Sequence, residues 1–114
     1  MPHCILDCSR TIEQHAPLKD IIKAVHDAAD GTGLFGRGDV KVRVNLFEHY
    51  TVGGTEDDFV HTVAYIMSGR TEEQRRHLSR QILTALKALL PNVRAISIDV
   101  REINRATYNN RDTV

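Results

Sequence analysis

Two stretches of helical periodicity, each lying between runs suited to β-strands, constrain this chain more than any other feature. Leu18, Ile21, Ile22, Val25 and Ala29 recur at helical spacing. Pro17 falls in the first turn, where its missing N–H costs nothing, and Gly31-Thr32-Gly33 stops the pattern. The second helix opens on the capping-box sequence Thr71-Glu72-Glu73-Gln74, continues through Leu78, Ile82, Ala85, Leu86 and Leu89, and ends at Pro91-Asn92. Ahead of the first helix, His3 to Ser9 reads as a short apolar strand, with a turn over Thr11 to Gln14. After it, Val40, Val42, Val44 and Leu46 alternate with Lys41, Arg43 and Asn45, which gives a strand with one apolar and one polar, cationic face. Phe59 to Met67 is apolar at both parities and reads as a buried strand, and Ile96, Ile98 and Val100 alternate with Ser97, Asp99 and Arg101 in a last one. The segment His49 to Asp57, with Gly53-Gly54, is a loop, and the polar tail from Asn104 is expected to be extended or mobile.

Strand–helix–strand therefore occurs twice. Each half makes a right-handed βαβ unit with parallel strands, and together they give an α+β fold: a four-stranded mixed sheet with both helices on one face. Residues 1–114 form a single domain, large enough for one hydrophobic core. Two helices cover only one face of such a sheet, yet the first and third strands read as apolar on both sides. Another copy of the chain is the economical cover, so an oligomer is expected.

Composition removes several functions from consideration. The formal charge balances at zero and the basic residues are dispersed, which gives no electrostatic footprint for nucleic acid or an anionic membrane. The longest apolar stretch, Leu83 to Leu90, is interrupted by Thr84 and Lys87, and the amino end lacks the basic and apolar regions of a signal peptide. Cys4 and Cys8, about 13 Å apart along one strand, cannot bridge, and no partners stand at ligand spacing for a metal. They read as small buried residues, reduced in a cytoplasmic protein.

Pro2 is the most suggestive position for chemistry. Removal of Met1 would free a secondary amine, a proton acceptor no side chain supplies, whereas a retained Met1 would leave an amide without basicity. Such a base must be neutral to act. One cation about 7 Å away, at an effective dielectric near 20, disfavours its protonation by roughly 2.4 kcal/mol. Lys41 and Arg43, two apart on a strand, leave the same face and are suited to that task, although a solvated edge or pairing with Glu13 or Asp7 would explain them equally. Arg70, between Gly69 and Thr71 at a strand-to-helix junction, offers a guanidinium beside free helix amides, an arrangement that attracts anions. His3, next to the amine, is open to tuning it electrostatically or to being a solvated imidazole, and His61, in the middle of the third strand, to a half-buried structural role or one as a ligand or acid. Tyr50, Tyr65 and Tyr108 could each donate a phenolic proton, depending on location.

Pro2-His3, Ile5, Cys8-Ser9, Thr32-Gly33-Leu34-Phe35, Arg43-Val44, Phe59-Val60-His61 and Gly69-Arg70-Thr71 together resemble the 5-carboxymethyl-2-hydroxymuconate isomerase family of the tautomerase superfamily. The resemblance runs in order from Pro2 to about Asn110. It implies a tautomerase-like homotrimer of double-βαβ subunits and a cofactor-independent isomerase, or keto–enol tautomerase, in the catabolism of aromatic compounds. Pro2 would then be the catalytic base. Arg70 and the Lys41/Arg43 pair would handle substrate carboxylates and the developing enolate, with His61 as a further substrate contact. The implied substrate is a 2-hydroxymuconate-type unsaturated 2-oxo or 2-hydroxy di- or tricarboxylate. Two departures stand out: Lys41 replaces an arginine of the relatives and loses its bidentate geometry, and the loop from Glu48 to Glu56 differs. Two other readings fit the same scaffold. One is a non-catalytic ligand-binding or signalling oligomer. The other is a hydratase, dehalogenase or decarboxylase that enlists Asp7, Glu48 or Tyr50 to activate water.

Overall fold

In the computed structural model, which describes residues 1–114, the elements follow in the order β1 (His3–Ser9), a short 3-10 turn (Ile12–Gln14), α1 (Leu18–Asp30), β2 (Lys41–Phe47), β3 (Phe59–Met67), α2 (Glu72–Leu89) and β4 (Ala95–Ile103). The sheet order is β2-β1-β3-β4. β1 runs parallel to β2 and β3 parallel to β4, and the two units meet through the antiparallel β1–β3 pair. This is the expected pair of βαβ units.

Parity along the strands decides which side meets the helices. Cys4, Leu6 and Cys8 of β1 and Val60, Thr62, Ala64 and Ile66 of β3 are all buried. They pack against Ile21, Val25 and Ala29 of α1 and Leu78, Ile82 and Leu86 of α2, so one apolar stripe per helix closes one core. Pro17 stands one position earlier than expected, as the residue before α1, where its carbonyl accepts from the Asp20 and Ile21 amides. The capping box of α2 forms in both directions: Thr71 Oγ1 accepts from the Gln74 amide, and Gln74 Oε1 accepts from the Thr71 amide.

Two expectations need correction. The opposite sheet face is not apolar: β1 contributes His3, Ile5 and Asp7, and β3 contributes Phe59, His61, Val63, Tyr65 and Met67. Ile5 and Val63, paired in register, form an apolar centre flanked by Arg43 and Asp99. Polar residues on the edge strands surround them, so the face is mixed, with Phe59, Tyr65 and Met67 half-buried beside that centre. The tail is also not extended. Ile103 accepts from the Ser68 amide, the Thr107 and Tyr108 amides return to the Asn104 carbonyl, and Asn104 Oδ1 accepts from the Ala106 amide. These turns fold the tail back over the end of β3. No helix is long and apolar enough to cross a membrane.

Candidate active site

Pro2 is buried at the head of β1, a central strand, and its carbonyl accepts from the Lys41 amide at 3.0 Å, which extends the β1–β2 ladder by one bond. The amino end is thereby fixed in the sheet. Met1 projects from it into a cavity of about 300 Å3. Phe35 and Asp39 from the α1–β2 connection, Met67 and Arg70 from the end of β3, and Arg105, Tyr108 and Asn110 from the tail line the rest. Four segments remote in sequence thus meet at one terminus.

The α-amino group there binds its proton less tightly than an ordinary terminus. Burial is the largest cause, followed by the charge of Lys41 and its hydrogen bond, while the Asp39 carboxylate opposes them. Lys41 Nζ also donates to the Asp39 carbonyl at 2.8 Å. Arg43 lies two residues further along β2, opposite Ile5, and its Nη1 lies 3.0 Å from His3 Nδ1. A guanidinium can only donate, so Nδ1 is the unprotonated nitrogen and the neutral His3 carries its proton on Nε2. Burial, then Arg43, Lys41 and the α-amino group hold the imidazole below its usual range. Lys41 therefore acts on the terminus, whereas Arg43 acts on His3.

Arg70 does not lie over the amides of its own helix, which the capping box occupies. Its guanidinium donates to the Leu34 carbonyl and stacks over the Phe35 ring at 4.9 Å. The Leu34-Phe35 turn is thus what aims it into the cavity. Gly69 makes the turn possible: its φ of 119° suits glycine, and the Arg105 guanidinium lies 4.0 Å from where a Cβ would stand. Arg105 in turn donates to the Ser68 carbonyl at 2.9 Å.

The partners of these cations set them apart. Arg75, Arg76 and Arg101 each pair with a carboxylate, on Glu102, Glu72 and Asp99 respectively. Arg70 and Arg105 are held by backbone carbonyls instead, so both bring an uncompensated positive charge to the cavity wall. A neutral amine beside two such guanidiniums can bind an anion and take its proton.

Of the residues singled out in the sequence, Arg70 lines the cavity with Met1; Pro2 and Lys41 are joined by a backbone hydrogen bond next to that terminus; and Arg43 contacts His3. His61 does not join them. It pairs with Asp7, about 13 Å along β1 from His3, and its Nδ1 lies 2.6 Å from Ser97 Oγ on the open face. Arg105, Asp39, Phe35 and Asn110 were not legible as site residues, because only the tertiary fold brings their segments together. Tyr108 was legible as a proton donor but not in place. A second hollow of about 400 Å3 lies at the other end of the sheet, lined by His15, Glu56, Asp57, Asp58 and Arg94 among others, and its excess of carboxylates makes it unsuited to an anion.

A family model described as 5-carboxymethyl-2-hydroxymuconate isomerase matches residues 2–113. A 5-carboxymethyl-2-hydroxymuconate Delta-isomerase from Escherichia coli is 26% identical over 111 residues, which cover 91% of this chain and 88% of that protein. Among solved structures, a 5-carboxymethyl-2-hydroxymuconate isomerase from Deinococcus radiodurans R1 superposes with a TM-score of 0.84 at 17% identity, covering 96% of this chain and 88% of the other. One described as "Q0 fused 4-OT wild type symmetric trimer" superposes with a TM-score of 0.81 at 15% identity, covering 98% and 94%. At those identities the superpositions show the shared tautomerase fold.

Proposed function

The chain belongs to the 5-carboxymethyl-2-hydroxymuconate isomerase family, a family of isomerases, and on that premise we propose that it shifts a proton within a 2-hydroxymuconate-type unsaturated di- or tricarboxylate, with the Pro2 nitrogen, freed by removal of Met1, as general base. The observation that carries this reading is the amino terminus itself. It lies in a cavity with two guanidiniums that no carboxylate neutralises, and burial and Lys41 lower its affinity for a proton. Without Met1, the Pro2 nitrogen becomes that terminus.

In the proposed reaction the neutral Pro2 nitrogen accepts a proton from the 2-hydroxyl group of the dienol. The electron pair moves through the conjugated chain as the 2-oxo group forms, and the prolinium returns the proton to a chain carbon. The dienolate holds the charge on its 2-oxygen and conjugated chain until carbon is protonated, so the step needs no cofactor. Base catalysis of this kind contributes about 10²–10⁴-fold. Arg70 binds a carboxylate and stabilises the enolate charge, for which a preorganised donor is worth about 3–4 kcal/mol. Burial and Lys41 keep the base unprotonated. We further propose a homotrimer in the cytoplasm, as the likeness to a symmetric fused 4-OT trimer suggests. His61, remote from its own chain's cavity, would then face a neighbouring copy across the open sheet face.

Intact mass establishes whether Met1 is removed, and ultraviolet absorbance follows ketonisation of 2-hydroxymuconate. The processed parent is expected to turn the dienol over, and Pro2→Ala and Arg70→Ala to lose at least about tenfold in kcat/KM. Undiminished activity in both variants overturns the assigned roles. Tight dicarboxylate binding without turnover would favour the ligand-binding alternative.

A further inference from the structure

We infer that the C-terminal tail supplies a second carboxylate site, with Arg105 as its cation and Tyr108 as a neutral donor, and that this site makes the cavity selective for dianionic over monoanionic acids. The inference rests on the reading of this cavity as the substrate site and names residues that neither the family match nor the sequence motifs assign.

Arg105 lies beyond the last strand, yet its guanidinium reaches back past Gly69 to the Ser68 carbonyl and shares the cavity wall with Arg70. Bringing two like charges to one small space is unfavourable unless an anion screens them. Carboxylates are available to the other arginines of this region: Glu102 takes Arg75 and Asp99 takes Arg101. Arg70 and Arg105 have none. Each spends a donor on a backbone carbonyl, which fixes its direction, and retains further N–H groups and its whole charge for a ligand. The two are anchored separately, one on the Leu34-Phe35 turn and the other on Ser68, so they are suited to two carboxylates rather than to one.

The remaining lining gives the cavity a direction. Phe35 and Met67 provide apolar wall for a conjugated chain, and Tyr108 and Asn110 provide uncharged polar groups beside Arg105. Asp39 also lines the cavity and its charge is felt at the terminus, so the attraction for an anion comes from the two arginines. A volume of about 300 Å3 suits a short-chain acid. The turn at Asn104 is the device that presents the tail: it brings Arg105 and Tyr108 to the cavity within five residues of the end of β4.

The test uses the processed full-length chain and two unreactive probes of equal length, adipate and hexanoate, with affinities measured by calorimetry. The parent is expected to prefer adipate by about 10- to 100-fold, the value of one further charge-assisted contact. Arg105→Ala should reduce that preference to less than about threefold, and Arg105→Lys, which keeps the charge but loses the planar fork, should leave it intermediate. Circular dichroism establishes that each variant is folded. Should Arg105→Ala fail to fold, the comparison of Arg105→Lys and Tyr108→Phe with the parent decides, and unchanged preference in both overturns the inference. A folded Arg105→Ala protein that still prefers adipate, or a parent with no preference, also overturns it. Binding is read without turnover, so the two readings fail separately. Isomerisation with an Arg105-independent preference sinks only the second carboxylate site. An Arg105-dependent preference without isomerisation sinks only the proposed reaction.

Discussion

Asp58 is the residue whose loss should cost the fold most without touching the cavity. Its carboxylate, with a side chain 15% exposed, gathers three donors from the other end of the sheet: the Ser9 hydroxyl at 2.7 Å, the Thr11 hydroxyl at 2.5 Å and His15 Nε2 at 2.7 Å. Ser9 is fully buried and its Oγ in turn accepts from the Phe59 amide at 3.2 Å. Asp58→Ala leaves the Ser9 proton buried without an acceptor, at a cost of about 1–3 kcal/mol. Thr11 and His15 lose charge-assisted bonds at a partly exposed site, each worth about 1 kcal/mol after allowance for solvent screening. A total of about 3–5 kcal/mol is a large part of the 5–15 kcal/mol expected for a whole domain and corresponds to a fall of about 12–20 °C in Tm. Urea and thermal denaturation of the parent, Asp58→Ala, Ser9→Ala and the double variant would measure this. A loss below about 1 kcal/mol, or strict additivity of the two substitutions, would refute the reasoning. The pH dependence supplies a second check. Burial raises the Asp58 pKa, but the bonds from Thr11, Ser9 and His15 outweigh it and leave the group below its usual 3.8. A carboxylate held down in the folded state stabilises fully above its unfolded pKa and loses that contribution as pH falls through the folded value. The gap between parent and Asp58→Ala should therefore be constant near neutrality and close on acidification below about pH 4.

Other parts of the molecule give equally direct tests. Thr62 is fully buried with an unpartnered hydroxyl, so Thr62→Val, which keeps the β-branched shape, should stabilise by about 1 kcal/mol and raise Tm by about 4 °C; a loss of stability would mean the hydroxyl has a partner. Gly69→Ala should cost about 1–3 kcal/mol in urea denaturation, because φ at 119° strains any side chain even though the space is open, and adipate affinity should fall with it as Arg70 and Arg105 shift. Burial pushes the Cys4 thiol up to about 11 and, with help from the Asp7 charge, Cys8 to about 12. An aromatic disulfide reagent at pH 8 should consequently label neither until denaturant opens the core, and rapid labelling of the native protein would contradict the packing.

What the sequence disclosed and what it hid follow from the range of the interactions concerned. Strand and helix positions were legible because each pattern is local: Ile21, Val25 and Ala29 face the core at helical spacing, and Thr71 with Gln74 marks the start of α2. β4 was legible only over Ile96 to Arg101. Its extension through Ile103 depends on pairing with Ile66 and Met67, and no alternation across Glu102-Ile103 signals a partner elsewhere in the chain. Counting apolar residues on β3 likewise overstated the open face, because Tyr65 and His61 share that parity with Val63 but carry polar groups to Arg101 and Ser97.

The site was legible to the same extent and for the same reason. Pro2 and Arg70 stand out locally, the one as a latent amine and the other at a strand-to-helix junction. What makes them a site is the neighbourhood of unpaired cations, and that is a property of the fold. Lys41 and Arg43 look equivalent on their strand. Yet register puts Lys41 beside the terminus and Arg43 beside His3, so one acts on the amine and the other on an imidazole. Arg101 and Arg105 look equivalent near the carboxyl end. Asp99 neutralises the first, whereas the Asn104 turn carries the second to the cavity with its charge intact. Charge counted along a sequence gives zero here. The proposed function depends on which of those charges the fold leaves without a partner, and at this amino terminus Arg70 and Arg105 line the cavity with no carboxylate paired to either.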